Sequence, residues 1–244
     1  MVIPALKYLN VLADHPKIIR RMIEIGMVTI VSSFVIHDPR QISPEILTAA
    51  GHLLLRLEDE PLARAQMLKS NLFFTILPLV TFNNKAVRQF WYDAMADLCN
   101  HKEFRAQLEL EPSYLNFLKK ALDEPDMEKG EELSFAYRVL FQSKFLLGFF
   151  TDEVTMPKLF DFYKNFMREA TKEYVIYVLE SLELIAQNRE GRENILKNLT
   201  MLEVLVLCIQ REDESVANIA GRLLLFLLEN SKSKLSLYQD LTCR

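Results

Sequence analysis

Four segments of the chain read alike, and they recur at a nearly constant interval. The first runs His15-Pro16-Lys17-Ile18-Ile19-Arg20-Arg21-Met22-Ile23, followed by Gly26 and an apolar stretch to Phe34. The second runs Glu60-Pro61-Leu62-Ala63-Arg64-Ala65-Gln66-Met67-Leu68, followed by Asn71 and an apolar stretch to Val80. The third runs His101-Lys102-Glu103-Phe104-Arg105-Ala106-Gln107-Leu108, then Pro112 and Tyr114 to Leu122. The fourth runs from Asn188 through Arg192-Glu193-Asn194-Ile195-Leu196 into Met201 to Ile209. With Met22, Met67, Leu108 and Ile195 as equivalent positions, the intervals are 45, 41 and 87 residues. The last is about twice the others, so a degenerate copy lies between the third and fourth. A unit that cannot bury its own apolar face must stack on its neighbours, which restricts such a chain to a repeat array.

Every copy has the same internal plan. A short amphipathic helix stops at a small or helix-breaking residue, a strongly apolar helix follows, and after a polar loop comes a longer third helix. The third helices are expected over Glu45–Leu57, Lys85–Cys99, Glu131–Leu147, Lys172–Ala186 and Glu214–Leu228. Ser43-Pro44-Glu45 sets a cap, a first-turn proline and an acid in the order that begins a helix. The joining loops are short and polar: His37–Ser43, Phe82–Asn84, Asp123–Gly130, Arg168–Thr171 and Arg211–Asp213. Only six of the 244 residues are glycine. That scarcity favours helices with short connections over sheet or phosphate-cradling loops.

The three-helix unit resembles the armadillo repeat. The copy from Gly191 to Glu229 carries the resemblance best: Arg192-Glu193-Asn194-Ile195-Leu196, Met201 to Leu207, and Glu214-Ser215-Val216-Ala217-Asn218-Ile219-Ala220-Gly221-Arg222-Leu223. The resemblance implies an all-α, right-handed superhelical solenoid of about five three-helix repeats with partial repeats at both ends. One domain is expected over residues 1–244: an orphan third helix at 1–14, repeats at 15–59, 60–100, 101–148, 149–187 and 188–230, and a partial repeat or tail at 231–244. Armadillo folds serve many unrelated roles, so the resemblance speaks for fold and not for a particular function.

Chemistry finds little to stand on. His15, His37, His52 and His101 share no metal or triad spacing. Cys99 and Cys208 lie in apolar helical runs and read as small core residues, and Cys243 has no neighbour to activate it. Three scattered cysteines form no disulfide framework, which points to a reducing compartment, cytoplasmic or nuclear. The acidic stretch from Asp123 to Glu132 lacks the ligand spacing of a calcium loop and reads as a solvated connection. Asn198-Leu199-Thr200 fits a glycosylation acceptor by chance. No phosphate loop, dinucleotide fingerprint or zinc-peptidase motif occurs, and no enzyme activity or cofactor is expected. A net charge of −4 disfavours nucleic acid. Apolar runs of about six residues are far short of a membrane span, and Met1–Ala13 reads as structure, not as a leader.

The expected partner is therefore a protein or peptide. In armadillo proteins the third helices line a concave groove, and the resemblance places His52, Arg56, Arg88, Asp93, Asp97, Arg138, Glu180 and Arg222 there. Nuclear-import adaptors carry a tryptophan and, four residues on, an asparagine in successive third helices. The matching pairs here are His52 and Arg56, Asp93 and Asp97, Glu180 and Leu184, and Arg222 and Phe226, while Trp91 is two residues out of register. That peptide-clamping ladder is absent. A second candidate surface is aromatic. Tyr137, Phe141, Phe145 and Phe149 fall on one helical face. One reading makes these rings core; the other is that the degenerate fourth unit, whose first helix reads as reduced to Thr151–Thr155, leaves some of Phe149, Phe150, Phe160, Phe162, Tyr163 and Phe166 partly exposed at a seam. The leading reading is a non-catalytic scaffold or adaptor using the groove, the seam or both. The alternative is a regulatory domain of a larger cytoskeletal, ciliary or chaperone co-factor assembly, with self-association through the incomplete end repeats. An enzyme with an unrecognised site ranks last.

Overall fold

A computed structural model describes residues 2–36, 42–72, 79, 83–110, 116, 119–120, 122, 130–167 and 170–230. Among the described residues there are fourteen α-helices and no strand. They are α1 (Val2–Leu12), α2 (Pro16–Glu24), α3 (Met27–Ile36), α4 (Pro44–Leu57), α5 (Pro61–Lys69), α6 (Lys85–Leu98) and α7 (Lys102–Leu110), then α8 (Gly130–Leu140), α9 (Lys144–Phe150), α10 (Thr155–Met167), α11 (Lys172–Gln187), α12 (Arg189–Lys197), α13 (Leu199–Ile209) and α14 (Glu214–Glu229). The trios α2-α3-α4, α9-α10-α11 and α12-α13-α14 are complete. The second helices expected at Asn71–Val80 and Tyr114–Leu122 fall largely outside the described residues, as do most of the acidic loop and residues 231–244.

The repeat is set by its junctions. A third helix ends, the chain makes a short turn, and the next first helix begins after His15, Glu60, His101, Ser143 or Asn188, at intervals of 45, 41, 42 and 45 residues. Seven residues beyond each of these positions lies a buried anchor: Met22, Met67, Leu108, Phe150 and Ile195. In three repeats an arginine four residues beyond the junction reaches back to the end of the preceding third helix. Arg64 donates to the Glu58 and Asp59 carbonyls at 2.6 and 3.0 Å. Arg105 donates to those of Cys99 and Asn100 at 3.2 and 2.9 Å, and Arg192 to those of Ala186 and Gln187 at 2.8 and 3.1 Å. These carbonyls have no partner within their own helix, and a cation there also complements the helix dipole. Ile19 and Leu147 occupy the same position in the first and fourth repeats.

Other local signals act as expected. The Ser43 hydroxyl accepts from the Ile46 amide, and Asn84, Thr171, Asn198 and Asp213 cap α6, α11, α13 and α14 in the same way. The Asn198 side chain, the first residue of the acceptor-like triplet, thus serves the backbone of α13. Gly26 (φ +78°) and Asn71 (φ +54°) both lie eleven residues past their junctions and end the first helix in the left-handed region, where these residue types are tolerated.

The chain divides into two compact units, residues 1–116 and 117–244. In the first, the third helices stack α1 on α4 on α6, with α3 packed on α4. Gly51 of α4 makes room for the Phe90 and Trp91 rings of α6, so Trp91 is wholly buried. In the second unit, α8 stacks on α11 and α11 on α14, while α10, α12 and α13 pack beneath them. Gly191 permits α12 to approach the end of α11. A Cβ there would lie 2.2 Å from the Ile185 carbonyl oxygen.

The fourth repeat departs from the sequence expectation. The helix expected over Glu131–Leu147 ends at Leu140, the chain turns through Phe141–Ser143, and α9 begins at Lys144. The repeat boundary expected between 148 and 149 thus falls at Ser143. The first helix of this repeat is α9, not a remnant at Thr151–Thr155, and Phe150 supplies its anchor.

Candidate functional site

In the first unit, the outward side chains of the stacked third helices are largely engaged with one another. Arg56 of α4 pairs with Asp14, one repeat earlier. His52 packs edge-on against Phe90 with ring centroids 4.5 Å apart. Partial burial, and then the Arg56 charge, lower the pKa of His52. Arg88 is half-buried and Asp93 exposed, and each has a partner within the chain. Asp97 is exposed on the same helix. Its carboxyl pKa is raised by desolvation, against the lowering effect of His101.

The second unit repeats the pattern. Arg138 of α8 donates to Glu180 of α11 at 2.6 Å, and Arg222 of α14 donates to Glu183 of α11 at 3.0 Å. Phe135 and Tyr177 meet edge to face at 5.5 Å. These ion pairs span one repeat each and fix neighbouring third helices in register. Exposed pairs of this kind contribute only about 0–1 kcal/mol each, so a partner's charges can displace them at little cost.

At the α11–α14 step the face opens. A groove of about 390 Å³ is lined by Glu183, Gln187, Arg222, Leu223, Leu225, Phe226 and Glu229. Leu223 is buried as its floor, while Leu225 is 58% and Phe226 38% exposed. The Arg192 guanidinium sits 5.8 Å from the centre of the Phe226 ring. Arg222 lines this groove. Leu225 and Phe226 were not among the sequence candidates, although Phe226 occupies a ladder position.

The aromatic seam is not exposed. Phe150, Phe160, Phe162 and Tyr163 are all buried, at 3% exposure or less. Tyr137, Phe141, Phe150 and Phe162 form a cluster with ring centroids 5.6–5.9 Å apart. The reason is α9: the first helix is present and fills the gap that the sequence reading left open. Phe149 is half-buried and covered by the Lys119 ammonium at 4.1 Å, and Lys119 also binds Asp152 at 2.7 Å. The side chain of Phe166 lies outside the described set.

A strongly perturbed carboxyl lies at a repeat junction. Glu58 is buried at the end of α4, its Oε2 has no hydrogen-bond partner, and its Oε1 is 3.8 Å from Nε2 of His101. Burial first, then the Asp97 and Asp59 charges, push its pKa up to about 8 against the lowering effect of Arg64. Perturbed acids can mark functional sites, but this one is sealed between helices. Both described thiols are buried too, and desolvation pushes Cys99 up to about 12 and Cys208 to about 11. Neither supplies a thiolate at neutral pH.

The chain matches no family model and no curated protein. Among solved structures it is similar to an engineered protein at 16% identity and a TM-score of 0.62, covering 92% of this chain and 91% of that one. It is similar to a designed armadillo repeat protein at 17% identity and a TM-score of 0.55, covering 92% of each. The fold is an armadillo-like helical repeat. A further designed armadillo repeat protein, solved in complex with the peptide (KR)4, matches at 17% identity and a TM-score of 0.57 over 92% of each chain. No helix among the described residues is long and apolar enough to cross a membrane.

Proposed function

We propose that this armadillo-like chain is a non-catalytic protein-interaction module that holds a segment of a partner protein against the outward face of its third helices. The observation that carries the reading is the α11–α14 groove, where Leu225 and Phe226 are exposed on a buried Leu223 floor between carboxylates and Arg222. An apolar centre with a charged rim is the usual build of an interaction surface. The neighbour with a bound peptide supports the general role. The missing tryptophan–asparagine ladder argues that the partner here is read by different contacts. In the first unit His52, Asp93 and Asp97 also lie on third helices.

The test is a photo-reactive residue at Leu225, with a second at Glu190 on the exposed side of α12 as control. The reading requires a discrete cross-linked protein from Leu225 that Glu190 does not give. It also requires that Phe226→Ser abolish the cross-link without changing helicity or melting temperature. Cross-links that are the same from both positions, or unaffected by Phe226→Ser, would overturn it.

A further inference from the structure

The second helix of the last described repeat, α13, is apolar on nearly every side. Met201, Leu202, Val204, Leu205 and Cys208 face inward and are buried. Yet Leu199 and Leu207 on the outside are 61% and 63% exposed, and the only charge in the helix is Glu203. A helix with one buried face needs only one apolar face, so apolar residues around the rest call for another surface to cover them. Beside Leu207, between α10 and α13, lies a groove of about 300 Å³. Met167, Val204 and Cys208 form its floor, and Lys164 and Arg211 stand at its rim. Both cations are exposed, and neither has an ion pair among the described residues. Glu203 also borders the groove but already has a partner within the chain, so its charge is not what the two cations await. The Cys208 thiol, with its pKa pushed up to about 11 by burial, contributes an uncharged surface.

We propose that this groove, on a different face from the third helices, docks an acidic segment of a partner protein. One large apolar side chain of that segment covers Met167, Val204 and Leu207, and flanking carboxylates meet Lys164 and Arg211. The apolar floor supplies the anchor pocket and the two unpaired cations set the sign of what surrounds it. The opening is too small for a whole domain and suits one or two side chains. Binding must weaken with salt, because rim charges are screened.

The experiment uses the full chain and a fluorescein-labelled peptide, Asp-Asp-Leu-Phe-Glu-Glu, read by anisotropy. Two comparison peptides replace the acids with lysines or the Leu-Phe pair with serines. The acidic apolar peptide is expected to bind at least tenfold tighter than either comparison. Lys164→Glu with Arg211→Glu, and separately Leu207→Ser, are expected to weaken it at least tenfold with circular dichroism unchanged. Phe226→Ser, in the third-helix groove, is expected to leave it unaltered, so this inference and the proposed function fail independently. No binding, equal binding of the lysine peptide, or loss through Phe226→Ser instead of Leu207→Ser would overturn the assignment. Concentration-dependent dimerisation abolished by Leu207→Ser would also overturn it, in favour of a second copy of the chain as the occupant.

Discussion

Replacing Gly191 with alanine should destabilise the chain, although helix propensity alone says the opposite. Inside a helix, glycine to alanine gains about 1 kcal/mol. At Gly191 the new Cβ would fall 2.2 Å from the Ile185 carbonyl oxygen and 2.8 Å from its Cγ2. The oxygen is backbone and cannot swing away. It belongs to the last turn of α11, which Arg192 holds by bonds to the Ala186 and Gln187 carbonyls, and it accepts from the Asn188 amide at 3.1 Å. Overpacking costs about 2 kcal/mol, in the middle of a range of about 1–3 kcal/mol. A weakened Asn188 bond adds about 1 kcal/mol. The net is a loss of about 2 kcal/mol once propensity is subtracted. Gly221 in α14 is the control, because a Cβ there meets nothing within 4 Å. Gly221→Ala should gain about 1 kcal/mol. The two variants should thus differ by about 3 kcal/mol, or roughly 6–12 °C in melting temperature for a chain of this size. Thermal and urea denaturation followed by circular dichroism measure this, and hydrogen exchange should place the loss at the α11–α12 junction. Equal stability of the two variants would refute the close approach.

Phe150→Ala should cost about 3–5 kcal/mol as a core cavity, while Phe226→Ala should stay within about 0.5 kcal/mol. Similar losses from the two in chemical denaturation would contradict the burial assigned to each ring. Arg105→Met removes two charged-donor bonds to the end of α6 and should cost about 1.5–3 kcal/mol, whereas the exposed Arg189→Met should be nearly silent. Glu58 makes stability depend on pH. Its carboxyl titrates near pH 8 in the folded chain but from an ordinary value of 4.5 when unfolded. Over that window the folded state therefore holds a proton that the unfolded state has released. Stability should be fully present below about pH 4.5 and fall as pH rises through 8. Glu58→Gln should flatten that part of the profile, and an unchanged slope would show that Glu58 is not the group responsible.

Much of the fold can be read from spacing. The third helices from Ser43, Asn84, Thr171 and Asp213 begin where a capping side chain says they should, and the Met22, Met67, Leu108 and Ile195 register holds. The fourth repeat was hidden for a physical reason. Tyr137, Phe141, Phe145 and Phe149 keep a four-residue spacing straight through the turn at Phe141–Ser143, and no proline or glycine marks the break. Ser143 caps α9 without a side-chain bond. The signal that would have found it is the interval, because Ser143 lies 42 residues past His101 and Phe150 seven past Ser143. The sequence leaves the charges at Arg56, Arg138, Glu180 and Arg222 open as a solvated face or as a groove for a partner. Their engagement one repeat away depends on helix stacking, which no local pattern encodes. Leu225 and Phe226 look like ordinary core residues in an apolar run, and only the rotation of α14 on α11 turns them outward.

The arginine that reaches back across each junction is missing from two of the five. At α1–α2 the place is taken by Ile19, and at α8–α9 by Leu147, neither of which can tie down a carbonyl. Side-chain bonds between third helices still join the repeats there, from Asn10 to the Ala49 carbonyl and Arg56 to Asp14 at the first and from Arg138 to Glu180 at the second, but no arginine holds the end of the preceding third helix. Under tension, or in native-state exchange and limited proteolysis, those two joints are where the array should part first. The tied junctions at Arg64, Arg105 and Arg192 should still be closed when they do. The chain is thus segmented mechanically into blocks that its period does not reveal.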